Sequence, residues 1–269
     1  MANTFNIALF GEKNSNKDVL HFKEWSEYIL SLCEKENMEP DYPSIRLVNN
    51  KSSNIKLSTY KNRMKKLENY ELSYLDLTKS QPDFSYISKD WELSANIDRD
   101  EYFDRIYLGF DIDKFKTVYI ERLSIISQVI QFMAVDYGFC FHMDLKYGPG
   151  LYVSGIFVAN YSNIFSKFEK ESTSLWSNYQ PDAMNAVKNG KLRYLYEYNI
   201  LNKSHLERKV FGKSLEDWVK SSLKNGTIIP INDKLYMWTI DPKNLHSVIN
   251  PLIDQNIFLL DRNYKPNFD

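Results

Sequence analysis

The chain has 269 residues, enough for one large domain or two modest ones, since length divided by ~150 gives roughly two. Its 43% hydrophobic and 26% charged residues give no support to collagen-like, wholly disordered or membrane-spanning architectures. Thirty-four Lys and Arg against 35 Asp and Glu leave a formal charge of −1, so nucleic acid and anionic lipid are disfavoured as partners. Aromatic residues, at 15%, are the one excess.

Residues Met1 to Phe10 lack the cationic start and unbroken apolar run of a secretory signal, since Asn3, Asn6 and Gly11 interrupt them. No run approaches the ~18 apolar residues of a bilayer span, so a cytoplasmic protein is expected. Two cysteines, Cys33 and Cys140, build neither a multi-bridge framework nor a thiolate zinc site. Both are expected reduced.

In chain order, Thr4 to Phe10 alternates Phe5, Ile7 and Leu9 against Asn6 and Ala8, the period of a half-buried strand. Lys17 to Asn37 places Phe22, Trp25, Ile29, Leu32 and Cys33 at helical spacing, and Pro40 and Pro43 mark its stop. The stretch Lys51 to Lys66 carries only basic charges, with a short helix expected over 60–69. Strands are predicted over 71–77, 90–97 and 105–112. A long helix over 114–137 follows, with Ile120, Leu123, Ile126, Val129, Ile130 and Met133 as its apolar stripe, and then a strand over 138–146. This order predicts an α+β fold: a ferredoxin-like βαββαβ core with inserted hairpins in residues 1–160, both helices sharing one sheet face.

Residues 161–269 read as a smaller α+β part of helices and a hairpin. Helices are expected around 164–176 and 181–188, and Ser204 with Glu207 and Ser214 with Asp217 read as capping boxes. Strands 227–231 and 235–240 flank the turn Asn232-Asp233-Lys234, and Asp241-Pro242 opens a last helix.

Two constellations could carry chemistry. Asp111-Ile112-Asp113-Lys114-Phe115-Lys116 at a strand-to-helix junction resembles the D-x-D-x-F-K stretch of diguanylate cyclases, which implies a divalent ion held against phosphates. The resemblance spans six residues, and that family's Gly-Gly-Asp/Glu-Glu-Phe turn is absent. Two aspartates around a helix start also serve as caps. Cys140, His142 and Asp144 alternate along one strand face, expected to be the face the helices leave open, where His142 and Asp144 could join a metal site. No G-x-S-x-G, Walker or G-x-G-x-x-G motif occurs, and no cofactor is expected. The acidic segment Asp98, Asp100, Glu101 and Asp104 could instead steer a basic protein partner.

The C-terminal pattern Gly190-Lys191-Leu192-Arg193, Tyr196, Asn199, Leu201, His205-Leu206, Gly212, Leu215, Trp218, Gly226 and Trp238-Thr239-Ile240 resembles, in spacing over about 80 residues, a module of uncharacterised bacterial proteins. Its style is similar to immunity proteins of polymorphic toxin systems. The resemblance implies a non-catalytic protein-binding module that neutralises a cognate toxin by occlusion. The alternative is a divalent-metal-dependent phosphoryl or nucleotidyl transfer enzyme using Asp111 and Asp113.

Overall fold

Strand pairing and helix packing were analysed in a computed structural model that describes residues 3–13, 20–49, 52–80, 91–100, 102–178 and 180–259. The chain is mixed α+β with antiparallel sheet and divides into two compact units. The first comprises Met1–Val135 with His142–Pro149, the second Asp136–Phe141 with Gly150–Asp269. No helix among the described residues is long and apolar enough to cross a membrane.

In the first unit the elements run β1 (Asn3–Glu12), α1 (Phe22–Lys35), β2 (Tyr42–Leu47), β3 (Ser52–Asn54), α2 (Leu57–Met64), β4 (Leu72–Ser80), β5 (Trp91–Arg99), β6 (Phe103–Asp111), α3 (Lys116–Ile120) and α4 (Arg122–Val129). The strands lie in the order β3-β2-β4-β5-β6-β1, and the last residues of β7 (Tyr137–Asp144) follow β1. Register explains one core layer. Ile7 and Ala95 both oppose Leu108, and Leu77 opposes Ala95, so the period of two brings these side chains to one face, where all are buried. Helix α1 packs on β4 and β5 with Phe22, Trp25, Ile29, Leu32 and Cys33 buried, and the Arg99 guanidinium lies 5.7 Å from the Phe22 ring. Helix α2 joins α1 through a 2.7 Å bond between Tyr60 and Ser26 hydroxyls.

Several expectations are corrected. Strand β1 is buried on both faces, not half-exposed: Asn6 and Ala8 are as inaccessible as Ile7. Asn6 is satisfied there, accepting from the Tyr107 hydroxyl (2.9 Å) and donating to Thr4 Oγ1 (2.8 Å). Strands β2 and β3 were not anticipated, because Pro43 reads as a breaker. It sits one residue past the end of the β2–β3 ladder, which closes at Ser44 opposite Asn54. The expected long helix over 114–137 is two short ones, broken where Glu121 leaves helical geometry (φ −84°, ψ 8°). Consequently Ile120 (77% exposed) and Leu123 (45%) face outward, and Val118, Ile125, Ile126 and Val129 form the buried stripe.

In the second unit come the first residues of β7, then α5 (Pro149–Val153), α6 (Lys167–Asn178), α7 (Gln180–Lys188), β8 (Tyr198–Asn202), α8 (Lys203–Glu207), β9 (Lys209–Val210), β10 (Lys213–Ser214), α9 (Leu215–Lys220), β11 (Thr227–Pro230), β12 (Leu235–Thr239) and α10 (Leu245–Leu252). Strands lie in the order β11-β12-β8-β7, all antiparallel, and β9 and β10 form a separate hairpin. Ser214 and Asp241 cap as anticipated. The other capping residue is Asn202, not Ser204: its side chain accepts the His205 amide, because β8 runs into α8 without a loop.

Gly109 in β6 tests the packing of the first unit. A Cβ there would sit 2.4 Å from the Tyr107 hydroxyl, 2.6 Å from Trp91 and 2.7 Å from the Asn6 side-chain oxygen. Gly109→Ala is therefore expected to lower stability by about 1–3 kcal/mol through overpacking, read as a drop in the urea midpoint.

Candidate functional site

The residues singled out from sequence do not converge. Asp111 is buried and closes the β6–α3 turn: its carboxylate accepts the Asp113 amide (2.9 Å) and its carbonyl the Phe115 amide (2.9 Å). Asp113 is exposed. His142 is half-buried, its Nε2 3.0 Å from the Tyr119 hydroxyl and its ring 5.1 Å from that of Phe5. Phe5 belongs to the apolar, helix-covered face, so His142 does not lie on an open side of the sheet, and Cys140 is fully buried. Asp144 caps the following turn through the Lys146 amide (3.2 Å) and pairs with its ammonium (3.3 Å). Among the described residues no three His, Cys, Asp or Glu side chains are grouped to hold a metal.

The acidic segment is not an open patch of four carboxylates. Asp98 and Asp104 are buried, Asp100 is half-buried, and Glu101 lies outside the described residues. Asp98 bridges Arg46 (2.7 Å) and Arg105 (3.2 Å), yet burial still pushes its pKa above the ordinary carboxylate value.

Most of the C-terminal pattern residues, by contrast, lie in the interior of the second unit: Leu192, Arg193, Tyr196, Asn199, Leu201, His205, Leu206, Leu215, Trp238 and Ile240 are buried. Arg193 has no exposed surface; it donates to the Val153 carbonyl (2.7 Å) and to that of Tyr152, and lies 4.8 Å from the Tyr152 ring centre and 5.2 Å from that of Phe139. Tyr152 donates to Glu169 (2.5 Å) and shares a 3.1 Å bond with Tyr196. Burial raises the Glu169 pKa to about 7. His205 is buried and stacked on Tyr137; its Nδ1 accepts the Asn202 amide (3.2 Å), which leaves Nε2 to donate to the Lys191 carbonyl (3.1 Å). Burial lowers its pKa to about 3.

On the surface of the second unit lies a recess of about 490 Å³, lined by Asn189, Ser204, Glu207, Arg208, Lys209, Gln255 and Asn256. Arg208 is held on backbone oxygens, 2.9 Å from the Asn256 carbonyl and 3.5 Å from that of Asn189. The Lys191 ammonium reaches the same Asn256 carbonyl at 2.6 Å. Two cations thus share one neutral acceptor. Gln255 accepts the Phe211 amide at 2.8 Å, which fastens the β9–β10 hairpin to the edge of the recess.

The tip of that hairpin is unusual. Phe211 (φ 50°) and Gly212 (φ 78°) both occupy the left-handed region, as a two-residue type I′ turn requires. Asn-Gly is the favoured pair there; a bulky residue at positive φ costs about 1–2 kcal/mol. Phe211 nonetheless stands there 50% exposed, its ring 6.2 Å from that of Trp218, and no heavy atom lies within 4 Å of a Cβ built on Gly212. Sequence reading passed over Phe211, Arg208 and Lys209. The available signal was Lys209-Val210-Phe211-Gly212-Lys213, an X-Gly turn between short extended pairs with an aromatic in the place of Asn.

No family model matches the chain, and no curated protein matches it by sequence. Among solved structures it is similar to the Pseudomonas aeruginosa T6SS protein PA0821, with a TM-score of 0.55 at 8% identity, over 93% of this chain and 76% of that one. At such identity the likeness is one of fold.

The buried His205 and the half-buried Glu169 set opposite pH dependences. His205 is neutral when folded (pKa about 3, against an ordinary 6.5), so its stabilisation is complete above pH 6.5 and is lost as pH falls toward 3. His205→Gln should flatten the acid limb of a stability–pH curve between those values. Glu169 is favoured protonated (about 7, against 4.5), so the folded state weakens as pH rises through that window. Glu169→Gln should stabilise the protein at pH 8 by on the order of 1–3 kcal/mol and leave it unchanged near pH 4, read by urea denaturation.

Proposed function

We propose that the chain is a non-catalytic, protein-binding module of immunity type that neutralises a toxin by covering it, and that it acts in the cytoplasm. The observation that carries this reading is Phe211, an aromatic side chain held out at a hairpin tip in a backbone conformation that disfavours it. A strained residue that fills no core position is the kind of feature function maintains, and aromatic anchors dominate protein interfaces. Two further observations support it. Of the residues that a metal-dependent phosphoryl transfer reading would need, Asp111 closes a turn, Asp144 caps one and His142 packs on Phe5, while Asp113 is exposed. The fold resembles that of a protein named as a T6SS component, consistent with a role beside secreted toxins.

The same reading extends to the architecture. We infer a ferredoxin-like core in which β1, α1, β5, β6, α4 and β7 supply the βαββαβ order and β2, β3, α2 and β4 are the insertion. The neighbours β1, β6 and β5 and their antiparallel sense support it.

Phe211→Asn tests the function. Asn tolerates positive φ, so the variant should melt at the same temperature as the parent or higher. Its capture of the toxin from extract of the native host should weaken by at least about tenfold, ~1.4 kcal/mol. Recovery of no stoichiometric toxin by the parent chain would overturn the proposal.

A further inference from the structure

Between Lys203 and Lys224 six Lys and Arg stand against three Asp and Glu, in a chain whose overall charge is −1. Two of the three acids are engaged on their own helices, Glu207 with Lys203 (3.6 Å) and Glu216 with Lys220 (2.7 Å). The third, Asp217, accepts from the Ser214 hydroxyl (2.6 Å). The positive charge of Arg208, Lys209 and Lys213 therefore flanks Phe211 on both sides along the hairpin.

The recess continues this pattern. Arg208 and Lys209 line it, Lys191 reaches its Asn256 wall, and the Arg208 and Lys191 cations are both held on the carbonyl of that one residue. The carbonyls that hold the Arg208 guanidinium carry no charge; a carboxylate entering the recess would accept from it in a charge-assisted bond. The side-chain amides of Gln255 and Asn256 in its lining offer additional donors for the second carboxylate oxygen. Gln255 links the two features physically, since it lines the recess and holds the Phe211 amide.

We propose that the recess and the hairpin form one two-point docking surface for an acidic protein segment, whose Asp or Glu carboxylate enters the recess beside Arg208 while an apolar neighbour packs on Phe211. This deepens the protein-binding reading and rests on it, because it assigns the partner's charge. It reverses the polarity expected from the acidic segment at residues 98–104.

The experiment uses the full chain, isotope-labelled, with two capped hexapeptides of alternating sequence, Glu-Leu and Lys-Leu. The Glu-Leu peptide should shift the Phe211 and Asn256 amide resonances saturably, and the shifts should disappear at ~1 M salt, where the screening length falls to about 3 Å. The Lys-Leu peptide should shift neither. The exposed pair Lys209→Glu/Lys213→Glu, which leaves the fold's interior untouched, should weaken the Glu-Leu peptide at least tenfold at low salt. Equal response to both peptides would overturn the proposal. So would inorganic phosphate alone producing the same saturable shifts at equal affinity, or tighter binding to phosphatidylserine vesicles than to the peptide. Toxin capture separates the two readings: if Phe211→Asn abolishes it and the Lys209→Glu/Lys213→Glu pair leaves it unchanged, protein binding stands and the acidic partner is refuted.

Discussion

A guanidinium with no contact to water organises the second unit. Placing Arg193 inside is costly unless its donors are met: both terminal nitrogens donate to the carbonyls at the end of α5, Nε is buried without a hydrogen-bond partner, and the Phe139, Tyr152 and Trp176 rings surround the charge. The same residue offers its own carbonyl to Ser172 in α6 and its amide to the Tyr137 hydroxyl. One residue thus ties α5, α6 and β7. Its neighbour two positions earlier, Lys191, receives the His205 Nε2–H on its carbonyl and sends its ammonium to the recess. The buried residue and the recess are thus joined through Lys191, whose ammonium meets Asn256 of the lining.

That chain of contacts explains why much of the interior could be read from residues alone. Apolar periodicity is a direct imprint of burial, and it located β1, α1, β5, β6, β7 and the closing β11–β12 hairpin to within a few positions. It failed where two physical causes compete. In β1 the alternation of Phe5, Asn6, Ile7 and Ala8 has the period of a half-open strand, but hydrogen bonds to Tyr107 and Thr4 let Asn6 be buried as fully as Ile7. In α3 and α4 a continuous stripe hid a break at Glu121, whose carboxylate is drawn to Lys35 at 2.9 Å. Pro43 disguised β2 because the missing amide matters only where a ladder bond would use it.

Charged and polar motifs were less legible, for a related reason. Asp98, Asp111 and Asp144 look like surface or catalytic carboxylates in a linear reading, yet each is occupied locally, by arginines, by a turn or by a cap. A carboxylate's role depends on its partners, and those lie up to 52 residues away in the case of Arg46 and Asp98. The hairpin tip shows the converse. Phe211 carries its signal within five consecutive residues, but the signal is conformational, an aromatic where a left-handed turn favours Asn, and hydropathy does not register it.

Fold and recognition are separable in this molecule. The resemblance to PA0821 extends over 93% of the chain at 8% identity, so a similar backbone course is supported by almost wholly different side chains. Cores tolerate such replacement when volume and pattern are kept. Recognition does not, because it depends on which side chains stand at a few exposed points. The points proposed for this chain are the hairpin tip and the recess, both on short elements held by His205, Asn202 and Gln255. None of the hydrogen bonds that hold Arg193 involves a residue of the hairpin tip or the recess, so on the proposed reading the binding surface can change while that buried core is kept.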